Sequence, residues 1–249
     1  MALLWERRVG DTLYQVRSAG RSLRLYTNGV FHSQYNPARP VTGSVWDLLL
    51  LPAFFHAPGE LRRVLVLGVG GGAVIRQLQR FVQPEFIAGV ELSAVHLSLA
   101  RRFFGVRGRH VRLEQADAVD WLRRYRGPAF DLIVDDLFVD ADGEPQRAVY
   151  ADADWVGSLL ACLAPRGVIV SNFASLLELE ASAFRLDAAC RKRFDAAFHL
   201  STAQNCNAVG AFLARPATPR ELRRRVQAVP ELDPRRKRGL HYRIRTLPV

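Results

Sequence analysis

Val64-Leu65-Val66-Leu67-Gly68-Val69-Gly70-Gly71-Gly72-Ala73 decides the fold of this chain. Four apolar residues run into a glycine-rich turn, and a helical pattern starts directly after it. A short apolar run bounded by turn residues reads as a strand buried on both faces of a parallel sheet. Glycines let the backbone turn sharply and approach a ligand closely, and the N–H groups at the start of the next helix favour an anionic group. Gly68, Gly70 and Ala73 also fit the GxGxxA dinucleotide fingerprint. The turn therefore announces a nucleoside pocket without naming the nucleoside.

Outward from the turn, Phe86–Val90, Phe130–Val134 and Gly167–Val170 read as further buried strands, with a shorter one at Val111–Glu114. Helical patterns alternate with them at Ala73–Phe81, Ala94–Phe104, Ala118–Tyr125 and Asp152–Leu163. This alternation predicts a parallel sheet covered on both faces. Leu176–Arg193 reads as one amphipathic helix. Ala197–Ser201 and Ala208–Leu213, around Asn205-Cys206-Asn207, read as a hairpin closing one sheet edge. Upstream, Thr12–Val16, Ser22–Tyr26 and Phe31–Tyr35 alternate around Gly20 and Asn28-Gly29, followed by a helix over Ser44–His56. The division expected is a β-rich appendage over 1–60, a nucleoside-binding α/β domain over 61–215 and a basic tail over 216–249.

Composition narrows the classes. A chain of 249 residues holds one large α/β domain with an appendage. No apolar run approaches the roughly 20 residues that span a bilayer, so no membrane partner is expected. The opening Met-Ala-Leu-Leu-Trp-Glu-Arg-Arg does not read as a secretory signal. Cys162, Cys190 and Cys206 are widely spaced, which argues against a disulfide framework or a zinc site and makes a reducing cytoplasm the expected location. The net charge is +11, and from Arg215 onward 11 Lys or Arg stand against three acids, a local +8. That tail reads as a solvated helix face with a loose terminus; nucleic acid or an acidic partner would engage the chain only there. With only Lys192 and Lys237 in the chain, a Schiff-base mechanism has almost no candidates.

Ligands of an open parallel sheet bind at the carboxyl ends of its strands, near the topological switch point. Glu91 ends the second strand, 21 residues after Gly70, where a carboxylate accepts from both ribose hydroxyls of either NAD or an adenosyl sulfonium. Asp117, with Ala118 beside it, ends the third strand; it is placed both to accept the adenine amine and to cap the next helix. Asp135 and Asp136 end the fourth strand, and period-two alternation sends them to opposite sides, one of them toward the reacting centre. Asp135, Asp136, Asp140, Asp142 and Glu144 form an acidic stretch of the kind that holds a dication, although Asp142 and Glu144 read as parts of a solvated loop; the stretch has too few ligand positions for calcium, and no metal is expected.

Val64–Ala73, Val90-Glu91, Ala116-Asp117-Ala118, Phe130–Asp136 and Leu163–Val170, in this order, resemble class I methyltransferase-fold proteins. More narrowly they resemble the spermidine synthase (polyamine aminopropyltransferase) family and its bacterial relatives, over roughly residues 12–215. Arg24–Val30 is similar to that family's strand and turn ahead of the core, and His32 stands where the family has a glutamine beside the nucleoside. The resemblance implies an α/β, Rossmann-like class I methyltransferase fold: a mostly parallel sheet with a C-terminal antiparallel hairpin and a small N-terminal β-rich appendage. It implies S-adenosyl-L-methionine or its decarboxylated form on Gly68, Gly70, Gly72, Glu91, Asp117, Ala118 and His32, a catalytic Asp136, and a homodimer. Departures accompany it. Gly71 replaces an aspartate, Val45 falls where a polyamine-binding tyrosine belongs with Asp47 near its acidic companion, and in Asp136-Leu137-Phe138-Val139-Asp140 only Asp136 maps cleanly.

The expectation is therefore a group transferase using S-adenosylmethionine, with methyl transfer to an unidentified small-molecule acceptor as the leading reading. Its work is to place the acceptor in line with an activated sulfonium and to handle one proton, a role for Asp136. Aminopropyl transfer from the decarboxylated donor to an amine is the alternative, and a non-catalytic nucleoside binder with a docking tail is a third. An NAD oxidoreductase would leave the Pro165-Arg166-Gly167 turn and the hairpin unexplained.

Overall fold

The computed structural model describes residues 1–141 and 144–249. It opens on a four-stranded antiparallel sheet, β1 (Ala2–Val9), β2 (Thr12–Ala19), β3 (Ser22–Thr27) and β4 (Val30–Tyr35), paired in that order. Asn28 (φ 49°) and Gly29 (φ 85°) make the β3–β4 turn, both in the left-handed region that a tight two-residue hairpin demands. β1 has no counterpart in the sequence reading, because nearly all its residues are exposed and no apolar alternation marks it.

The helix expected over Ser44–His56 divides into α1 (Val45–Leu50) and a 3₁₀ turn, Leu51–Phe55. Pro52 is the reason: it has no N–H to give the carbonyl one turn back, so the α-helical ladder stops there. The core follows as β5 (Arg63–Leu67), α2 (Ala73–Phe81), β6 (Phe86–Glu91), α3 (Ala94–Arg102), β7 (Val111–Gln115), α4 (Ala118–Arg124) and β8 (Phe130–Asp135). A small hairpin, β9 (Phe138–Ala141) and β10 (Glu144–Arg147), then precedes α5 (Ala153–Ala161) and the long β11 (Leu163–Phe173). Glu144, expected in a solvated loop, is instead the first residue of β10, and Asp142 lies outside the described residues.

Leu176–Arg193 is not one helix but three short ones, α6 (Leu176–Ala181), α7 (Ala183–Leu186) and α8 (Ala188–Arg191). Ser182 and Asp187 break the pattern with extended backbones, and Asp187 turns its carboxylate onto the Cys190 N–H as an N-cap. The chain closes with β12 (Ala196–Ser201), β13 (Ala208–Leu213), α9 (Pro219–Gln227) and β14 (Arg243–Leu247).

The main sheet has the order β14-β12-β13-β11-β8-β5-β6-β7. β7, β6, β5, β8 and β11 are parallel, and β13, β12 and β14 extend the sheet antiparallel. This is the Rossmann-like class I methyltransferase arrangement, with the expected hairpin. Residues alternate strictly between two buried layers. Val64, Val66, Leu132, Val134, Val168 and Val170 pack toward α1, α2 and α9. Leu65, Leu67, Ile133 and Ile169 pack toward α4, α5 and α7. The last segment is not a loose terminus: Leu222 and Val226 of α9 are buried, Arg225 and Arg215 donate to carbonyls of the 3₁₀ turn, and β14 forms the sheet edge. Arg223 and Arg224 remain on the solvated face. Among the described residues no helix is long and apolar enough to cross a membrane.

Phe212 of β13 stacks on Phe184 of α7 at 4.0 Å and contacts Phe194. Phe212→Ala is expected to cost about 3–5 kcal/mol of unfolding free energy, measured by denaturant titration, with the transition midpoint falling at unchanged slope.

Candidate active site

β6 leaves β5 on one side and β8 lies on the other, so the topological switch point falls between the ends of β5 and β8. Leu67 is in register with Asp135 there. Gly68 begins the turn at φ +83°, and a Cβ on it would lie 2.1 Å from the Asp136 carbonyl oxygen. The turn can cross the end of β8 this closely only with glycine at that position. Gly68 and Gly70 face a cavity of about 510 Å³ whose walls include His32, Trp46, Asp117, Leu137 and Asn207. Gly72 is instead the N-cap position of α2, off the cavity wall.

Glu91 closes the turn from the neighbouring strand. Its Oε2 accepts from the N–H groups of Val69 (3.0 Å) and Gly70 (2.9 Å), and Oε1 from Ser93 N–H (2.9 Å). His96 Nδ1 stands 3.5 Å from Oε1. Burial pushes this carboxyl upward, but His96 and the N–H groups of Ser93 and Gly70 together outweigh it and hold the group below its ordinary value. Glu91 is thus a buried, ionised carboxylate on the cavity wall. Asp117 caps α4 through Asp120 N–H (3.0 Å) and lines the cavity with Ala118.

Asp135 and Asp136 have opposite surroundings, as alternation predicts. Asp135 turns away from the cavity and is fully buried; its Oδ2 accepts from the Arg147 guanidinium (2.9 Å) and Trp155 Nε1 (3.2 Å). Asp136 faces the cavity, and its Oδ1 accepts from Asn172 Nδ2 at 2.7 Å. Asn172 Oδ1 accepts in turn from Asn207 Nδ2 at 3.1 Å. Burial, with the charges of Asp135 and Glu91 adding to it, raises Asp136 to about 6 despite the Asn172 bond. An acid poised near neutrality suits proton transfer. His32 lines the same cavity, its Nε2 without a hydrogen-bond partner among the described residues; burial first, and His96 second, lower it to about 4, so the ring is neutral.

The remaining candidates lie apart. Asp47 is buried and accepts from Thr42 N–H and Oγ1, Gly43 N–H and Gln77 Nε2, so it stabilises the entry to α1 and does not line the cavity. Asp140 accepts from Asn28 Nδ2 (3.1 Å), tying β9 to the β3–β4 turn. Gly71 has no room for the acid of the resembling family: a Cβ there would lie 2.7 Å from the Ser33 Cβ. Sequence reasoning missed His96, Asn172 and Asn207. Asn172 two residues beyond a buried strand run carried a readable signal, being a polar residue at a strand's carboxyl end.

The sequence profile of the spermine/spermidine synthase domain matches residues 47–206, well over half of the chain, which therefore belongs to that family. The chain is 29% identical over 127 residues to polyamine aminopropyltransferase 2 of Caldanaerobacter subterraneus, covering 50% of this chain and 42% of that protein. It is 25% identical over 116 residues to the polyamine aminopropyltransferase of Chromobacterium violaceum, covering 46% and 43%. The matches thus span less than half the length of either curated relative. Among solved structures, a probable spermidine synthase from Corynebacterium glutamicum superposes with TM-score 0.71 at 18% identity, over 92% of this chain and 88% of that one. Human methyltransferase-like protein 13, in complex with SAH, superposes with TM-score 0.58 at 22% identity, over 79% and 92%. Both likenesses establish the fold.

Asp136 gives the site a pH signature. Its folded value, about 6, lies above the ordinary 3.8, so the native state binds more protons than the unfolded state between those values. Its contribution to stability is therefore lost as pH rises through that window, by an amount on the order of 2–3 kcal/mol. Asp136→Asn, which keeps an oxygen for Asn172, is expected to raise the melting temperature above pH 6 and to leave it near the wild-type value at pH 4. Equal shifts at both pH values would disprove the assignment.

Proposed function

We propose that this member of the spermine/spermidine synthase family transfers an aminopropyl group from decarboxylated S-adenosylmethionine to a small amine. The observation that carries the reading is the pairing of an ionised Glu91 and a proton-accepting Asp136 on either side of one glycine turn, in one cavity. Glu91 would take the ribose hydroxyls, Asp117 the adenine amine, and His32 the nucleoside side of the wall. At Asp136 an incoming amine would be oriented and relieved of its proton. The amine nitrogen bonds to the propyl carbon attached to sulfur, the carbon–sulfur bond breaks with its electron pair staying on sulfur, and methylthioadenosine leaves. Asp136, held by Asn172, keeps the proton taken from the incoming ammonium, and the product leaves as a secondary ammonium.

The sequence reading put methyl transfer first. The family and the curated relatives, both polyamine aminopropyltransferases, support the aminopropyl reading better. One observation favours methyl transfer as the second reading: Gly71, packed on Ser33, offers no carboxylate to a donor tail that ends in an ammonium.

Incubation with putrescine and decarboxylated S-adenosylmethionine, followed by chromatography, is expected to release methylthioadenosine. Release of S-adenosylhomocysteine from S-adenosylmethionine, without methylthioadenosine from the decarboxylated donor, would establish the second reading in its place. Asp136→Asn is expected to lower kcat by about 10²–10⁴-fold with a smaller effect on nucleoside binding.

A further inference from the structure

His96 takes no part in the transfer as described, yet its ring is buried between the ribose-side carboxylate and the N-terminal sheet. Nδ1 stands 3.5 Å from Glu91 Oε1, and Nε2 stands 2.8 Å from Thr27 Oγ1 on β3. A carboxylate can only accept, so the ring nitrogen facing it is the one that carries a proton. With one ring proton so placed, the Nε2 lone pair accepts from the Thr27 hydroxyl. The ring is fixed by more than these two contacts. Tyr14 of β2 meets it edge-on at 5.5 Å, and His32 of β4 packs at 5.2 Å. Three strands of the N-terminal sheet therefore converge on one side chain of the core domain.

Hydroxyl, imidazole and carboxylate in this order are also the parts of a nucleophilic triad. The surroundings of Thr27 exclude that use: it is buried, 8% exposed, and is not among the residues lining the cavity. A hydroxyl that no substrate reaches can only orient its partner. At 3.5 Å the contact from His96 to Oε1 is longer than an ordinary hydrogen bond, a polar contact rather than a full bond. It biases the carboxylate's orientation and charge while leaving Oε1 able to accept from a ribose hydroxyl.

We infer that Thr27, acting through His96, is a positioning residue for Glu91, so that β3 influences nucleoside affinity from a side chain that does not line the cavity. The inference rests on the proposed role of Glu91 at the ribose.

Calorimetry of the full chain with methylthioadenosine tests it, with melting temperatures recorded for every variant. Thr27→Val keeps the shape and removes the hydroxyl; Thr27→Ser keeps the hydroxyl. Thr27→Val and His96→Leu are each expected to weaken binding about tenfold, and Thr27→Ser less than about twofold. His96→Leu combined with Glu91→Gln should bind no more weakly than Glu91→Gln alone, because both changes act through one carboxylate. Four results would overturn the inference. Thr27→Ser binding as weakly as Thr27→Val would show packing rather than a hydroxyl. Additive losses in the double variant would show independent effects. Weakened binding by Glu91→Gln with wild-type affinity in Thr27→Val and His96→Leu would remove the relay and leave the ribose role standing. Wild-type affinity in Glu91→Gln would remove both.

Discussion

The carboxylate of Glu91 is the constraint on which the site depends. It sits at the end of β6, one residue past the register in which Val90 faces Leu67, and so reaches the turn leaving β5. Three backbone N–H groups of the turn and of the approach to α3 end on it. Without it those donors would face a cavity wall unpaired, and without them a buried carboxylate would cost several kcal/mol. Each makes the other affordable, and the outcome is a rigid turn carrying a fixed negative charge. The same side chain then meets His96, which links the arrangement to β3. A single acid thus joins two strands of the core, the glycine turn and the N-terminal sheet.

Asp135 and Asp136 show how one strand end serves structure and chemistry together. The pleat sends the first toward the helical layer, where Arg147 and Trp155 donate to its Oδ2, and the second into the cavity, where Asn172 donates to its Oδ1. Arg147 also donates to the Asn172 and Val149 carbonyls, so the β9–β10 hairpin is anchored beneath the same strand end. The charge on Asp135 is compensated locally. It still reaches Asp136, whose proton it helps to hold. The poise of the cavity-facing acid therefore depends in part on a neighbour turned away from the cavity.

The parts of this architecture that follow from local sequence were legible in it. Buried parallel strands, the glycine turn, Glu91, Asp136 and the β12–β13 hairpin all announce themselves through apolar runs, turn residues and strand-end acids. What was illegible depends on distant partners. His96 looks like any polar residue in an amphipathic helix, and its role comes from Thr27, 69 positions away. Arg243–Leu247 is too rich in arginine to read as a strand; it forms one because β12 offers an unpaired edge. The break at Ser182 has a different origin. Apolar periodicity runs through Leu179, Ala183 and Phe184, and only the extended backbone at Ser182, whose side chain bonds back to Leu179, interrupts it.

Gly71 gains a different meaning from its packing than from its sequence alone. As a substitution, it is a lost acid in a loop where the resembling family carries an aspartate. In the structure it is one half of a contact: Ser33 of β4 lies against it, Phe104 closes the other side, and the Ser33 hydroxyl accepts from Ala73 N–H at the start of α2. The N-terminal sheet occupies the space a side chain at 71 would need, and it supplies a hydrogen bond to the helix start in return. Restoring an acid there would require β4 to retreat, which would also move His32 and the strand preceding it, with Thr27. The missing acid at position 71 and the seating of the N-terminal sheet are therefore one structural choice in this chain. Under the proposed function, the group that takes the donor's tail is therefore not carried at position 71.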